Sequence, residues 1–217
     1  MIGKLLSVSL ISGVILLSLM CYSPNLYAHE KHHLDPRKPV CLKKYPTDPV
    51  QFNAIVQPYV NKIIQAHGLE EWKAVLLTNE MHRHLGLWSI IGAKMGIRAR
   101  EVLDAPFDHL DVVSFCGYKP PFSCTIDGLQ VSTGASLGRA TISNTHLGLP
   151  EAIFIYKKRK LYIKVKPEVK LEIRRVIREL SGKYGFQSSR YFQELDKVSV
   201  KYWLDWDRNK IFQEIHF

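Results

Sequence analysis

Apolar and polar positions along this chain follow two periods, and the change falls near Pro150. Before it the spacing is helical. Asp48-Pro49 joins a capping acid to a proline at the first helical position, and Val56, Val60, Ile63 and Ile64 mark one apolar face up to about Gly68. A shorter element runs from Glu70 to Leu77. Leu87, Ile90, Ile91 and Met95 then return at helical spacing, followed by Gly96. Asp111–Phe115 reads as a strand, because its aliphatic residues precede a glycine and two prolines. A helix opens near Cys124 and ends about Thr133, and the glycines of Thr133-Gly134-Ala135-Ser136-Leu137-Gly138 predict a tight turn.

Beyond Pro150 the period shortens to two. Ala152–Tyr156 and Leu161–Val165 flank the basic turn Lys157–Lys160, which predicts a hairpin. Pro167 opens a helix whose Val169, Leu171, Ile173, Val176, Ile177 and Leu180 cover an apolar face up to Gly182. The tail carries Trp203, Trp206, Ile211 and Phe212 and is expected to pack back on the domain. Helices and an antiparallel sheet in separate runs predict an α+β fold, a single domain over residues 48–217.

The start of the chain sets the compartment. Lys4, the apolar run Leu5 to Met20 and the segment Leu26-Tyr27-Ala28 form the n-region, h-region and cut site of a secretory signal peptide over residues 1–28, cleaved after Ala28. The apolar run is shorter than the roughly 20 residues a membrane anchor needs. A lipid on Cys21 is disfavoured by the bulk of Met20 before it. The expected location is therefore periplasmic or extracellular. Residues 29–47, polar and rich in proline and histidine, are expected to form a loose arm. The net charge of +10 would suit nucleic acid in the cytoplasm. In an exported protein it points to anionic lipid, envelope polysaccharide or solubility instead.

Candidate chemistry concentrates in two stretches. His82 and His84 stand two residues apart, about 200° around a helix, so they share no helical face. In an extended segment, or in the turn before a helix, both imidazoles can point one way, and Gly86 adds little bulk beside them. That reading makes them metal ligands; the plain alternative is a turn that happens to carry histidines. Cys124 follows Pro120-Pro121-Phe122-Ser123 and falls at a helix N-terminus, where the macrodipole favours thiolate. Asp127 and Gln130 come three and six residues later, near the same face, where they would orient a ligand. Asp127 is also the candidate base, or simply a helix cap. Once the signal is removed, Cys41, Cys116 and Cys124 remain, so at least one has no partner within the chain. If a pair forms, Cys41 with Cys116 is favoured over Cys116 with Cys124.

The stretch Ser123–Ile142, "SCTIDGLQVSTGASLGRATI", resembles the core motif of the FmdE family of formylmethanofuran dehydrogenase proteins. That motif has cysteine, aspartate and glutamine at these spacings, then threonine-glycine and a second glycine four residues on. The family's other hallmark is His-Gly-His-x-Cys-Pro-Gly leading into a helix, and His82, His84 and Gly92 match its spacing. The likeness spans about residues 75–160. It implies an α+β core with a metal or active site where the two motifs meet, His82, His84 and Cys124 as ligands, and Asp127, Gln130 and Thr133 behind them. Two imidazoles and a thiolate suit zinc or another borderline divalent ion, and leave a fourth position for water or substrate. Ser132 and Ser136 line that pocket or shape its turn. Gly86, Leu87 and Trp88 depart from the family's cysteine, proline and glycine, so that cysteine's role is lost here. No cysteine follows Cys124, so the paired-cysteine zinc ribbon of many members is missing. The chain thus resembles an exported, stand-alone branch that keeps the core domain.

Three functions are compatible with this reading. The first is a metal-binding protein that handles a metal or cofactor in an accessory role without turnover, which the histidines of His29–His33 favour. The second is a metal-dependent exported enzyme whose substrate the sequence does not name, with hydrolysis one reaction open to it and a small molecule one substrate class. The third is a structural or interaction domain in which the histidines and cysteine are incidental. The oligomeric state is left open, a homo-oligomer included.

Overall fold

The computed structural model describes residues 40–217. The expected signal peptide, its cut after Ala28 and the arm as far as residue 39 lie outside the described residues. The described residues fall in one compact unit.

The expected helix from Asp48 to Gly68 forms only in part. Asp48 does act as a cap, its Oδ1 accepting from Val50 N at 3.1 Å, but of the single 3-10 turn Pro49–Gln51. Asn53 then closes an Asx turn, its Oδ1 accepting from Ile55 N and Val56 N at 3.0 and 3.1 Å. Pro58 could not sit inside a continuous helix, since it lacks an N–H and crowds the preceding turn. It occupies instead the first turn of another 3-10 segment, Gln57–Tyr59. The α-helix proper, α1, spans Val60–His82 and absorbs the separate element expected at Glu70–Leu77. The break between the two halves is a kink at Gly68, whose φ of 83° with ψ of 166° only glycine adopts without strain.

Helix α2 is Leu87–Leu103, strand β1 is Asp111–Ser114 and helix α3 is Cys124–Thr133. Gly134 ends α3 in the left-handed conformation, and a 3-10 turn Leu137–Arg139 leads to β2, Ile142–Asn144. Strands β3 (Glu151–Tyr156) and β4 (Arg159–Val165) form the expected hairpin around a tighter turn, because Arg159 already pairs with Tyr156. Helix α4 is Pro167–Tyr184, with Val169, Ile173 and Val176 buried along one face. Two further elements make up the tail: helix α5, Ser189–Asp205, and strand β5, Phe212–His216.

The fold is α+β. Its sheet has the order β2-β1-β3-β4-β5 and is antiparallel except for the β1–β2 pair. The register sets Val112 against Phe154, Phe154 against Leu161 and Val165 against Phe212. These residues join Met95, Leu129 and Ile173 in one apolar cluster between sheet and helices. A second cluster joins α1, α2 and α5, where Trp203 stacks on Trp72 with ring centroids 4.9 Å apart. Trp203, Trp206, Ile211 and Phe212 are all buried, as expected of the tail.

The end of the arm is less loose than its composition predicted. Pro46 O accepts the indole N–H of Trp72 at 2.9 Å, and Lys73 Nζ lies 4.9 Å from the Tyr45 ring centroid. The favoured Cys41–Cys116 pairing is not formed: Cys41, Cys116 and Cys124 are all free thiols. The physical reason is placement, Cys41 on an exposed segment and Cys116 buried behind β1.

Candidate functional site

The two imidazoles face one another because a helix ends between them. His82 is the last residue of α1, and Arg83 turns left-handed with φ 70°, its N–H bonded to Asn79 O. That reversal carries His84 back beside His82, with ring centroids 4.4 Å apart. The Asn79 side chain fixes the next step, accepting from Gly86 N at 3.1 Å and from Ser89 Oγ at 2.8 Å.

Close packing of α2 against α3 brings the cysteine to this turn, and glycines permit the approach. A Cβ on Gly92 would lie 2.0 Å from Thr125 O, one on Gly96 1.9 Å from Ser132 Oγ, and one on Gly128 2.2 Å from Ala93 N. With no side chains between them the helix backbones touch, and Cys124 and Asp127 at the start of α3 reach His82. Gly86 leaves space for the imidazole itself, since its Cβ would stand 3.0 Å from His82 Nε2.

His82 Nδ1 donates to Asp127 Oδ2 at 2.7 Å. The Asp127 carboxylate, with the Cys124 thiol as the next cause, raises the His82 pKa to about 9 against the opposing effect of burial. His84 shifts the other way, lowered by burial and by the neighbouring His82. The opposite nitrogen of His82, Nε2, is buried and has no hydrogen-bond partner among the described residues. An imidazole held by a carboxylate on one nitrogen, with the other nitrogen free, is the usual form of a metal-binding histidine. His82 and Cys124 thus fit a borderline divalent ion by chemistry. His84 lies beside them, but among the described residues no group of three or more His, Cys, Asp or Glu side chains is disposed to hold a metal ion.

The remaining expected members serve the turn after α3. Gln130 Oε1 accepts from Leu137 N at 3.3 Å, and Thr133 Oγ1 donates to Leu129 O at 2.6 Å while accepting from Ala135 N. Ser132 Oγ returns to Gly128 O, and Ser136 Oγ accepts from Arg139 Nε. Two residues of α5 that sequence reasoning missed adjoin the histidines. Phe192 packs on His84 with ring centroids 5.0 Å apart, and Asp196 Oδ1 accepts the N–H of Leu85 at 2.8 Å. The signal for α5 was present, in the capping Ser188 and the four-residue spacing of Tyr191, Leu195, Ser199 and Trp203.

The fold and site describe an α+β domain with a carboxylate-held imidazole facing a helix-terminal thiol. Residues 81–213, more than half of the chain, match the family described as FmdE, molybdenum formylmethanofuran dehydrogenase operon, and the chain belongs to this family. A solved structure of a tungsten formylmethanofuran dehydrogenase FmdE-like protein from Syntrophus aciditrophicus is similar at 19% identity and a TM-score of 0.39. The match covers 75% of this chain and 71% of that one. No curated protein matches the chain.

Proposed function

We propose that this protein is an exported, metal-binding member of the family, handling a divalent metal, zinc by its donor set, or a metal-bearing cofactor in an accessory role. One observation carries the reading: a buried, unpartnered His82 Nε2 whose Nδ1 is held by Asp127 and whose ring adjoins Cys124. His82 and Cys124 would hold the ion, and His84, beside them on the same turn but not disposed with them around a metal in the metal-free chain, would be drawn in as the third donor. The ion would supply Lewis acidity. Asp127 fixes the His82 tautomer that leaves Nε2 free to bind. Export is supported by the sequence of residues 1–28, which reads as a cleaved leader.

The test measures bound metal per chain in exported protein whose first residue, by N-terminal sequencing, is His29. Cys124→Ser exchanges a soft thiolate for a weakly coordinating hydroxyl and is expected to release the metal. Cys41→Ser, on the exposed segment before α1, is expected to retain it. Equal retention in the two variants, or metal that follows the His29–His33 arm on its deletion, would refute the motif site.

A catalytic reading of the same site is favoured by the order of its groups. Asp127, His82 and Cys124 succeed one another as orienting carboxylate, base and thiol, the arrangement that activates a cysteine nucleophile. In an acyl transfer, the proton that His82 and the Cys124 sulfur share would pass from His82 to the leaving group as the sulfur bonds to the acyl carbon. Hydrolysis of an activated ester that survives chelation and disappears in Cys124→Ser would favour this reading over metal handling.

A further inference from the structure

The histidine turn is short and makes a sharp reversal, yet α5 touches it at two consecutive residues. Phe192 presents its ring to the face of His84 at 5.0 Å, and one helical turn later Asp196 Oδ1 takes the backbone N–H of Leu85 at 2.8 Å. Residues four apart on a helix lie on one face, so both contacts come from the same stripe of α5. That stripe continues to Trp203, which is stacked on Trp72 of α1, and the neighbouring Leu204 O takes up His67 Nε2 at 2.7 Å. Helix α5 is therefore anchored on α1 at one end and grips the turn that α1 emits at the other. Without Asp196 the Leu85 amide would lose its acceptor, and without Phe192 the outer face of His84 would lose its packing partner.

We propose that Phe192 and Asp196 are positioning residues for the candidate site, clamping the turn Arg83–Gly86 so that His84 is kept beside His82. The inference rests on the metal-binding reading for its functional meaning, but the clamp is a property of the metal-free protein. A side chain on a turn clamped against a helix loses less freedom when it takes a ligand than one on a free turn, so the clamp raises affinity without touching the ion.

The experiment compares the full chain with Asp196→Ala, Asp196→Asn and Phe192→Leu. Amide exchange at Leu85 and carbethoxylation of His84, mapped by peptide mass, are read without metal. Cobalt(II) titration followed by visible absorption is read afterwards. Exchange at Leu85 is expected to accelerate in Asp196→Ala and to stay slow in Asp196→Asn, whose amide oxygen keeps the acceptor. Carbethoxylation of His84 is expected to rise in Phe192→Leu. Cobalt affinity is expected to fall about tenfold in Asp196→Ala and Phe192→Leu, the range typical of groups that orient ligands, and to recover in Asp196→Asn. Unchanged exchange and unchanged modification would overturn the clamp. Should the parent protein take up no cobalt, the metal reading falls, while the two metal-free measurements still decide the clamp.

Discussion

His82 links the candidate site to pH. Its ordinary pKa is 6.5, and Asp127 with Cys124 raises it to about 9 in the folded, metal-free chain. The unfolded chain releases that proton first as pH rises, so the stabilisation is fully present below about pH 6.5 and is lost as pH climbs through about 9. Chemical denaturation of the metal-free protein should therefore show unfolding free energy falling between these limits. Asp127→Asn removes the largest cause, so the ring resonance of His82, followed by NMR, should titrate nearer its ordinary value. The same proton competes with a metal at Nε2, which predicts affinity that rises with pH over this window. A flat stability profile with an unshifted His82 titration would contradict the hydrogen bond.

Among the elements, the α2–α3 crossing does most to assemble the site. Because a Cβ on Gly92 or Gly128 would meet backbone atoms at 2.0 and 2.2 Å, no rotamer change relieves either clash. Gly92→Ala and Gly128→Ala are expected to lower stability by about 3 kcal/mol or more, as overpacking of a tight contact does. They should also move Cys124 away from His82. Gly182, inside α4 with nothing within 4 Å of its added Cβ, is the contrasting case. Gly182→Ala is expected to stabilise by about 0.5–1 kcal/mol through helix propensity alone. Urea midpoints of the three variants check both signs together.

Across the described residues, a charge network ties α1 and α2 to the segment between α5 and β5. Glu71 of α1 and Lys94 of α2 are fully buried, with Lys94 Nζ donating to Glu71 Oε1 at 2.5 Å. Arg208, between α5 and β5, donates to Glu71 Oε2 at 3.1 Å and pairs with Glu101. Burial lowers the Lys94 pKa, and Glu71 opposes that effect. Neutralising Glu71 strands Lys94 and leaves Arg208 with Glu101 alone, whereas losing Lys94 leaves Glu71 with Arg208. Glu71→Gln is therefore expected to cost about 3–5 kcal/mol, and Lys94→Met clearly less. Equal losses in a denaturation series would mean that Arg208 contributes nothing to holding the carboxylate.

The sequence by itself determined most of the local structure, because local structure depends on near neighbours. The hairpin came from period-two alternation, α3 from the prolines before Cys124, and α4 from Pro167 and its apolar stripe. The spacing of His82, His84 and Gly92 with the Cys124 motif carried the family as well. Other features were not legible, one for a local reason and the rest because they join residues far apart in the chain. Asn53 and Pro58 displaced the expected helix start because local hydrogen bonding and a missing N–H outweighed a good cap. Free Cys41 and Cys116 followed from where the chain buries each thiol, which spacing does not encode. The partnership of His82 with Asp127, 45 positions apart, exists only because three glycines let two helices touch. The hold of α5 on the histidine turn, 111 positions away at Leu85 and Asp196, is likewise a product of packing. Periodicity names the face a residue presents, while only the tertiary structure decides which other face it meets.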